Sequence, residues 1–231
     1  MPRGLEGRGK TPVAAGPGRR RVILVDDHPI VRKGLRRLIE NDPGLAVCAE
    51  AEGVREAREA IRQHRPDAVI VDLFLKDGDG IELVREVHAH HPGLPLLVLS
   101  MHDESVYAER LLEAGARGYV MKHEASDVLV HALHEVLAGR RHVSEAISAR
   151  LLRKTGAGRV PADSSPIDPL SNRELQILQM IGRGLSSRQV AESLNLSIKT
   201  IEAHRQRIKR KLKLKTGAQL VNFAVTWVAD H

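Results

Sequence analysis

The chain has 231 residues, 42% of them hydrophobic and 28% charged, a balance that excludes wholesale disorder, a collagen-like repeat and a bundle of membrane helices. Lysine and arginine (36) outnumber aspartate and glutamate (29), giving a formal net charge of +7 and favouring a polyanionic partner. A single cysteine, Cys48, excludes an internal disulfide and a zinc site built from cysteines.

The charge is unevenly spread. Residues 1–21 carry a net of +5, residues 22–137 a net of −8, residues 138–166 a net of +4 and residues 167–231 a net of +6. An acidic front half joined to a basic tail predicts that the tail meets nucleic acid or another anionic surface while the front does different work.

Residues 1–20 are rich in Gly, Pro and Arg without apolar periodicity, and are expected to form a disordered arm. Arg19–Arg21 followed by Val22–Val25 superficially imitates a signal peptide, but the apolar run stops after four residues at Asp26-Asp27. No stretch approaches the roughly 20 apolar residues of a membrane span. A cytoplasmic protein without a membrane partner is expected.

From residue 21 to 137, short apolar runs alternate with amphipathic stretches: Val22–Val25, Leu45–Ala49, Ala68–Val71, Leu96–Leu99 and Gly118–Met121 are read as strands, with helical periodicity between them. Five βα units in about 115 residues predict one doubly wound α/β domain with a five-stranded parallel sheet. Cys48 falls in the second run and reads as a buried thiol. Residues 138–166 hold a short helix around Glu145–Leu152 and then Gly, Pro and Ser, which predicts a flexible linker. Residues 167–231 are helical throughout. Ser171-x-x-Glu174 and Ser186-x-x-Gln189 are capping boxes that open the first two of four helices; Gly182 and Gly184 stop the first.

Chemistry-bearing side chains gather at the strand ends. Asp26 and Asp27 close the first strand, Asp72 the third, Ser100 follows the fourth and Lys122 closes the fifth. In a sheet of order 2-1-3-4-5 the ligand crevice opens between strands one and three, which brings Asp26, Asp27 and Asp72 together. Packed carboxylates repel one another, and oxygen-only ligands suit a hard ion such as Mg²⁺. A carboxylate beside Mg²⁺ and a lysine can attack phosphorus, because the cations neutralise the equatorial oxygens. Asp72 stands alone on its strand and is the nucleophile; Lys122 and Ser100 would contact phosphoryl oxygens.

Through Val25–His28, Val71–Leu75, Leu99-Ser100 and Gly118–Lys122, residues 21–137 resemble the flavodoxin-like receiver domain of bacterial two-component response regulators. The resemblance implies that Asp72 accepts a phosphoryl group from a sensor histidine kinase. It implies further that Asp27, Asp72 and the Phe74 carbonyl hold Mg²⁺ while Asp26 acts through the water shell, and that Ser100 and Tyr119 form the switch pair. Lys76 and His123 depart from the family, which has proline near both positions, and so bear on loop shape.

The tail carries eight basic residues and one acid, Glu202, between Ser197 and Lys215. A helical wheel places Ile201, Ile208 and Leu212 on one stripe and Lys199, Ala203, Gln206, Arg207 and Arg210 on the other side. A short helix, a turn and a basic second helix form a helix-turn-helix whose second helix enters the major groove of double-stranded DNA. Glu202, Ala203 and Gln206 would face base edges; Lys199, Arg205, Arg207 and Arg210 would neutralise phosphates. Aromatic residues make up only 2% of the chain, which disfavours stacking on single strands.

Residues 168–228 resemble the LuxR-type helix-turn-helix of the NarL/FixJ group through Leu170–Glu174, Ile181–Gly184, Val190–Leu194 and Thr200–Arg205. The resemblance adds Thr200 and His204 to the DNA-contacting set, His204 either touching a phosphate or filling the packed side. It also implies that Leu220, Ala224 and Trp227 pair two output domains in a homodimer formed on phosphorylation or DNA binding; the competing reading is plain core. The other histidines show no metal-ligand spacing, and His88, His90 and His91 read as a solvated helix end.

Together these readings predict a transcriptional response regulator switched at Asp72, and not an enzyme. Two rivals are a phosphate-independent docking module and a phosphatase. The second lacks a residue to activate water, since Phe74 is apolar and Lys76 a poor base at neutral pH.

Overall fold

The computed structural model describes residues 18–101, 104–156 and 166–229; residues 1–17 of the arm expected over 1–20, and the Gly/Pro-rich part of the expected linker, 157–165, lie outside the described residues. Arg20, expected in the arm, instead opens the first strand, its N–H donating to the Gly44 carbonyl at 2.7 Å. Five strands, β1 (Arg20–Val25), β2 (Leu45–Ala51), β3 (Ala68–Asp72), β6 (Leu96–Ser100) and β7 (Gly118–Met121), pair in parallel in the order β2-β1-β3-β6-β7. This is the order expected from the sequence. The register aligns Val25 with Val71 and Asp72 with Leu99, so the chain leaves β1, β3 and β6 at one edge.

The period of two along a strand sorts its side chains into two cores. Val22 and Leu24 face one layer with Ile70, Leu97, Leu99 and Val120, covered by α1 (Pro29–Glu40) and α5 (Ala125–Leu137) through Leu35, Ile39, Leu129 and Leu133. Ile23 and Val25 face the other with Val69, Val71 and Val98, covered by α2 (Val54–His64), α3 (Gly80–His90) and α4 (Glu104–Ala114) through Ile61, Val84, Tyr107 and Leu111. Both faces of the sheet are sealed, which is why its strands read as nearly unbroken apolar runs. Cys48 is buried as expected, its Sγ 3.5 Å from the Val22 carbonyl oxygen.

Between β3 and α3 the chain forms a two-residue hairpin, β4 (Phe74–Leu75) with β5 (Gly78–Asp79), which is too short to register as a sequence pattern. Asp77 in its turn accepts from the backbone N–H of Val54 at 2.8 Å, satisfying an orphan donor at the start of α2. Asp79 caps α3 by accepting from the Ile81 N–H at 2.9 Å. A Cβ on Gly80 would lie 2.3 Å from the Asp72 carbonyl oxygen, so only glycine lets α3 start this close to the end of β3.

The helix expected around Glu145–Leu152 is present and runs on to Gly156, packed against the first domain rather than flexible. Helix α6 (Glu145–Gly156) packs on α4. Among the described side chains, Ile147 is buried, and the turn at Ser144 is anchored to Glu104, the Ser144 N–H donating to Oε1 at 3.0 Å.

The C-terminal domain has four helices: α7 (Asn172–Gly182), α8 (Ser187–Ser193), α9 (Ile198–Lys211) and α10 (Gly217–Ala229). Both capping boxes form: Ser171 and Ser186 accept from the N–H groups of Glu174 and Gln189, whose side chains reach back to the cap N–H groups. Asn195 takes a left-handed φ of 51° in the turn between α8 and α9. Lys213 does the same (φ 57°) after α9, where the Leu214 N–H donates to the Lys209 carbonyl at 2.8 Å and the Lys213 N–H to that of Arg210 at 3.2 Å. Leu175, Leu178, Ile201, Ile208, Leu220, Ala224 and Trp227 close the core.

The two domains touch. Tyr107 of α4 donates its hydroxyl to Gln179 Oε1 of α7 at 3.0 Å, Arg110 donates to the carbonyls of Leu170 and Ile167 at 2.8 Å each, and Asn172 Nδ2 donates to Asp79 Oδ2 at 2.9 Å. The contact is made by α7 and the segment before it.

Candidate functional site

Asp26, Asp27 and Asp72 converge at the strand edge as the spacing predicts, and all three are buried. Lys122, the residue after β7, places its Nζ 2.7 Å from both Asp26 Oδ2 and Asp72 Oδ2. Its main chain is set by a hydrogen bond from its N–H to the Ser100 carbonyl at 2.8 Å. One ammonium thus bridges carboxylates that are 46 positions apart in the chain.

The remaining oxygens have distinct surroundings. Asp26 Oδ1 accepts from the His28 N–H at 2.8 Å, and His28 Nδ1 stands 2.6 Å from Asp27 Oδ1. The Phe74 N–H reaches Asp72 Oδ1 at 3.5 Å. Neither Asp26 Oδ2 nor Asp27 Oδ1 makes a well-directed hydrogen bond although both are buried; each has only a cation-forming side chain at close range. Buried carboxylate oxygens of this kind are the donors that a hard dication accepts.

The electrostatics follow from burial. Loss of solvent, reinforced by repulsion from Asp26 and opposed by Lys122, pushes the Asp72 carboxyl up to about 6. Burial works against the charge on Lys122, but Asp72 and Asp26 outweigh it and hold the ammonium above its ordinary range. The pocket therefore contains a permanent cation beside a carboxylate of raised basicity.

Two supporting groups left no sequence signal. Arg32, buried in α1, donates from Nη1 to the Asp26 carbonyl at 2.5 Å and from Nε to Glu50 Oε2 at 3.2 Å, fixing the loop after β1. Lys76 Nζ donates to the Asp27 carbonyl at 3.3 Å. Their partners are 6 to 49 positions away, so no short motif contains the pair.

Ser100 and Tyr119 are both buried, at the end of β6 and inside β7. Phe74 lies edge-on to Tyr107, ring centroids 5.7 Å apart, and Tyr107 is the residue that holds Gln179 of the other domain. Burial raises the Tyr107 hydroxyl far above its ordinary range, so it stays a neutral donor. The loop after Asp72 is therefore one ring contact and one hydrogen bond from α7.

In the C-terminal domain, Lys199, Glu202, Ala203, Gln206, Arg207 and Arg210 are exposed on α9 while Ile201 and Ile208 are buried, as the wheel predicts. Thr200 and Arg205 are half-buried; Thr200 Oγ1 is paired with Ser197 Oγ at 2.8 Å, and Arg205 lies 3.7 Å from Glu202. Glu202 accepts from Ser187 Oγ at 2.6 Å. His204 is half-buried, with a buried Nδ1, and burial lowers its pKa; a neutral ring so placed fills the packed side rather than pairing with phosphate.

The pairing residues need correction. Leu220 and Ala224 are fully buried and Trp227 is 7% exposed in the core of their own domain, so none is free to meet a second copy. The exposed large apolar side chains on α10 are Val221 and Val225. Spacing at i, i+4 and i+7 looks the same whether a helix packs on its own domain or on a partner.

An acidic strand-end pocket in a doubly wound domain, followed by a helix-turn-helix with a basic exposed face, defines a DNA-binding response regulator. A family model described as "Response regulator receiver domain" matches residues 22–134, and one described as "Bacterial regulatory proteins, luxR family" matches residues 168–224. The chain is 32% identical over 210 residues to the oxygen regulatory protein NreC of Staphylococcus epidermidis, covering 89% of this chain and 96% of NreC. It is 34% identical over 205 residues to the response regulator GacA of Pseudomonas protegens, covering 89% and 95%. Among solved structures, RcsB of Salmonella enterica serovar Typhimurium, bound to a promoter in the presence of a phosphomimetic, matches with a TM-score of 0.57 at 28% identity over 90% of this chain and 98% of RcsB. The chain belongs to the NarL/FixJ group of two-component response regulators, whose members are transcription regulators rather than enzymes.

Proposed function

We propose that Asp72 is the phosphoacceptor through which a sensor histidine kinase controls DNA binding by α9. The observation that carries this reading is the single Lys122 ammonium, 2.7 Å from both Asp26 and Asp72 at the crevice where the strands end. An Asp72 oxygen attacks the phosphorus of a phosphohistidine, the new O–P bond forms as the P–N bond breaks, and the imidazole leaves with the electron pair and takes up a proton. Lys122 stabilises negative charge on the phosphoryl oxygens. Ser100 meets the arriving group, and Tyr119 in the neighbouring strand reports it.

Asp27, Asp72 and the Phe74 carbonyl would hold Mg²⁺, with Asp26 acting through its water shell. When bound, the ion neutralises the transferring group's charge and relieves the repulsion among the carboxylates. The buried oxygens Asp26 Oδ2 and Asp27 Oδ1, faced only by the cation-forming side chains of Lys122 and His28, support this assignment.

On DNA, Glu202, Ala203 and Gln206 read base edges in the major groove, while Lys199, Arg205, Arg207 and Arg210 set register on phosphates. The structures of RcsB with DNA support this use of the domain. Val221 and Val225 are large exposed apolar residues of α10 that could pair two copies on one site. The protein works in the cytoplasm; no helix among the described residues is long and apolar enough to cross a membrane.

The test is phosphorylation of the full chain by a small phosphodonor with Mg²⁺, followed by electrophoresis that retards phosphoprotein. Wild-type protein should gain one acid-labile phosphate and Asp72→Asn none. Label retained in the variant would overturn the assignment.

A further inference from the structure

At the other end of β7 from Lys122, three metal-ligating side chains meet: His131 and Glu135, one turn apart on α5, and His142 from the segment leading to α6. Their candidate donor atoms all lie within 4.8 Å of one another. We infer that His131, Glu135 and His142 form a site for a late first-row transition-metal dication, with zinc as the ligand to test.

The geometry of the carboxylate supports this. Arg140 Nε lies 3.5 Å from Glu135 Oε1, so that oxygen faces the guanidinium, while Oε2 faces both imidazoles, 2.7 Å from His142 Nδ1 and 3.7 Å from His131 Nε2. The two rings stand 6.0 Å apart, edge to face. Two imidazoles and a carboxylate form a ligand set that suits zinc, leaving a fourth position for water. Ligands on tetrahedral zinc stand about 3.3 Å apart at bond lengths of ~2.0–2.1 Å. Rotation of His131, whose side chain is 70% exposed, closes the difference.

The scaffold is already rigid. His142 joins the edge of the sheet in an isolated bridge to Gly118: its N–H donates to the Arg117 carbonyl at 3.0 Å and its own carbonyl accepts from the Tyr119 N–H at 2.9 Å. A Cβ on Gly118 would lie 2.9 Å from the His142 carbonyl oxygen, so glycine permits the approach. Preorganised ligands on a helix and a sheet edge keep the entropy cost of capturing an ion low. The sequence concealed the site because His142 lies outside the helix carrying the other two ligands, and only the bridge to β7 brings it back.

A bound ion would staple α5 to the chain entering α6, beside the backbone of Tyr119. The site shares no residue with the Asp26–Asp72 pocket and stands independently of the phosphorylation reading. The experiment is calorimetric titration of the full chain with Zn²⁺ in excess Mg²⁺, which occupies hard-ion sites, alongside His131→Ala, His142→Gln and Asp27→Ala. One zinc should bind to wild type and to Asp27→Ala and raise their melting temperatures, and each histidine variant should lose more affinity than the roughly ten- to a hundredfold that loss of an outer-shell partner costs. His131→Ala alters an exposed side chain and decides the matter even if His142→Gln fails to fold. No uptake by wild type, uptake unchanged in His131→Ala, or uptake abolished by Asp27→Ala would overturn the inference.

Discussion

The acidic pocket and helix α9 solve opposite electrostatic problems. In the pocket, three carboxylates and a lysine from different strands are driven together and buried, at a cost visible in the raised proton affinity of Asp72. On α9, cations that follow one another in sequence are spread over an exposed face and keep their hydration until they meet an anion. The first arrangement stores energy for chemistry at one atom. The second distributes a long-range attraction over many weak contacts, so no single residue there should be indispensable.

The sharpest test of that contrast lies on α9. Replacing Arg207 and Arg210 with alanine should weaken DNA binding roughly ten- to a hundredfold and reduce the slope of log affinity against log salt by about 2, with phosphate uptake at Asp72 unchanged. Gel retardation across a salt series measures both; an unaltered slope would remove these side chains from the phosphate contacts.

An effect of comparable size is expected in the pocket, as a gain in stability rather than a loss of binding. Asp72 binds its proton more tightly in the folded chain, with a pKa of about 6 against an ordinary 3.8, so the folded state takes up a proton between those values and stability falls as pH rises through that window. With a chelator present, Asp72→Asn should therefore be more stable than wild type above pH 6, by on the order of 1–3 kcal/mol, and the gain should vanish towards pH 4. Thermal melts at the two pH values measure this. A destabilised variant at neutral pH would mean that the attraction to Lys122 outweighs the burial.

The smallest change concerns the contact between the two regions. Tyr107→Phe removes the hydroxyl that Gln179 accepts while keeping the ring against Phe74. It should loosen the domain contact by about 0.5–1.5 kcal/mol, read as faster amide exchange in α7, with little change in the melting of the sheet.

What the sequence disclosed follows the same division. Strand ends are marked by a switch in periodicity, so the sequence alone places Asp26, Asp27, Asp72, Ser100 and Lys122 on one edge. Capping boxes at Ser171 and Ser186 are local chemistry and were equally legible. Arg32, Asp79, Tyr107 and Gln179 were not, because each acts through a partner far along the chain and its own neighbours carry no pattern. Leu220, Ala224 and Trp227 were assigned to a partner surface because apolar periodicity records that a face is covered, not by what.

Lys213 shows what the basic tail demands of its own backbone. It occupies a left-handed turn where glycine would fit without strain and where a side chain costs on the order of 1 kcal/mol, yet the position carries a cation at the negative end of the α9 dipole. Lys213→Gly would relax the loop while subtracting one charge from the end of the basic helix. The attraction of that cation to the helix end offsets part of the backbone cost, so the turn is held by charge where glycine would have held it by conformational freedom.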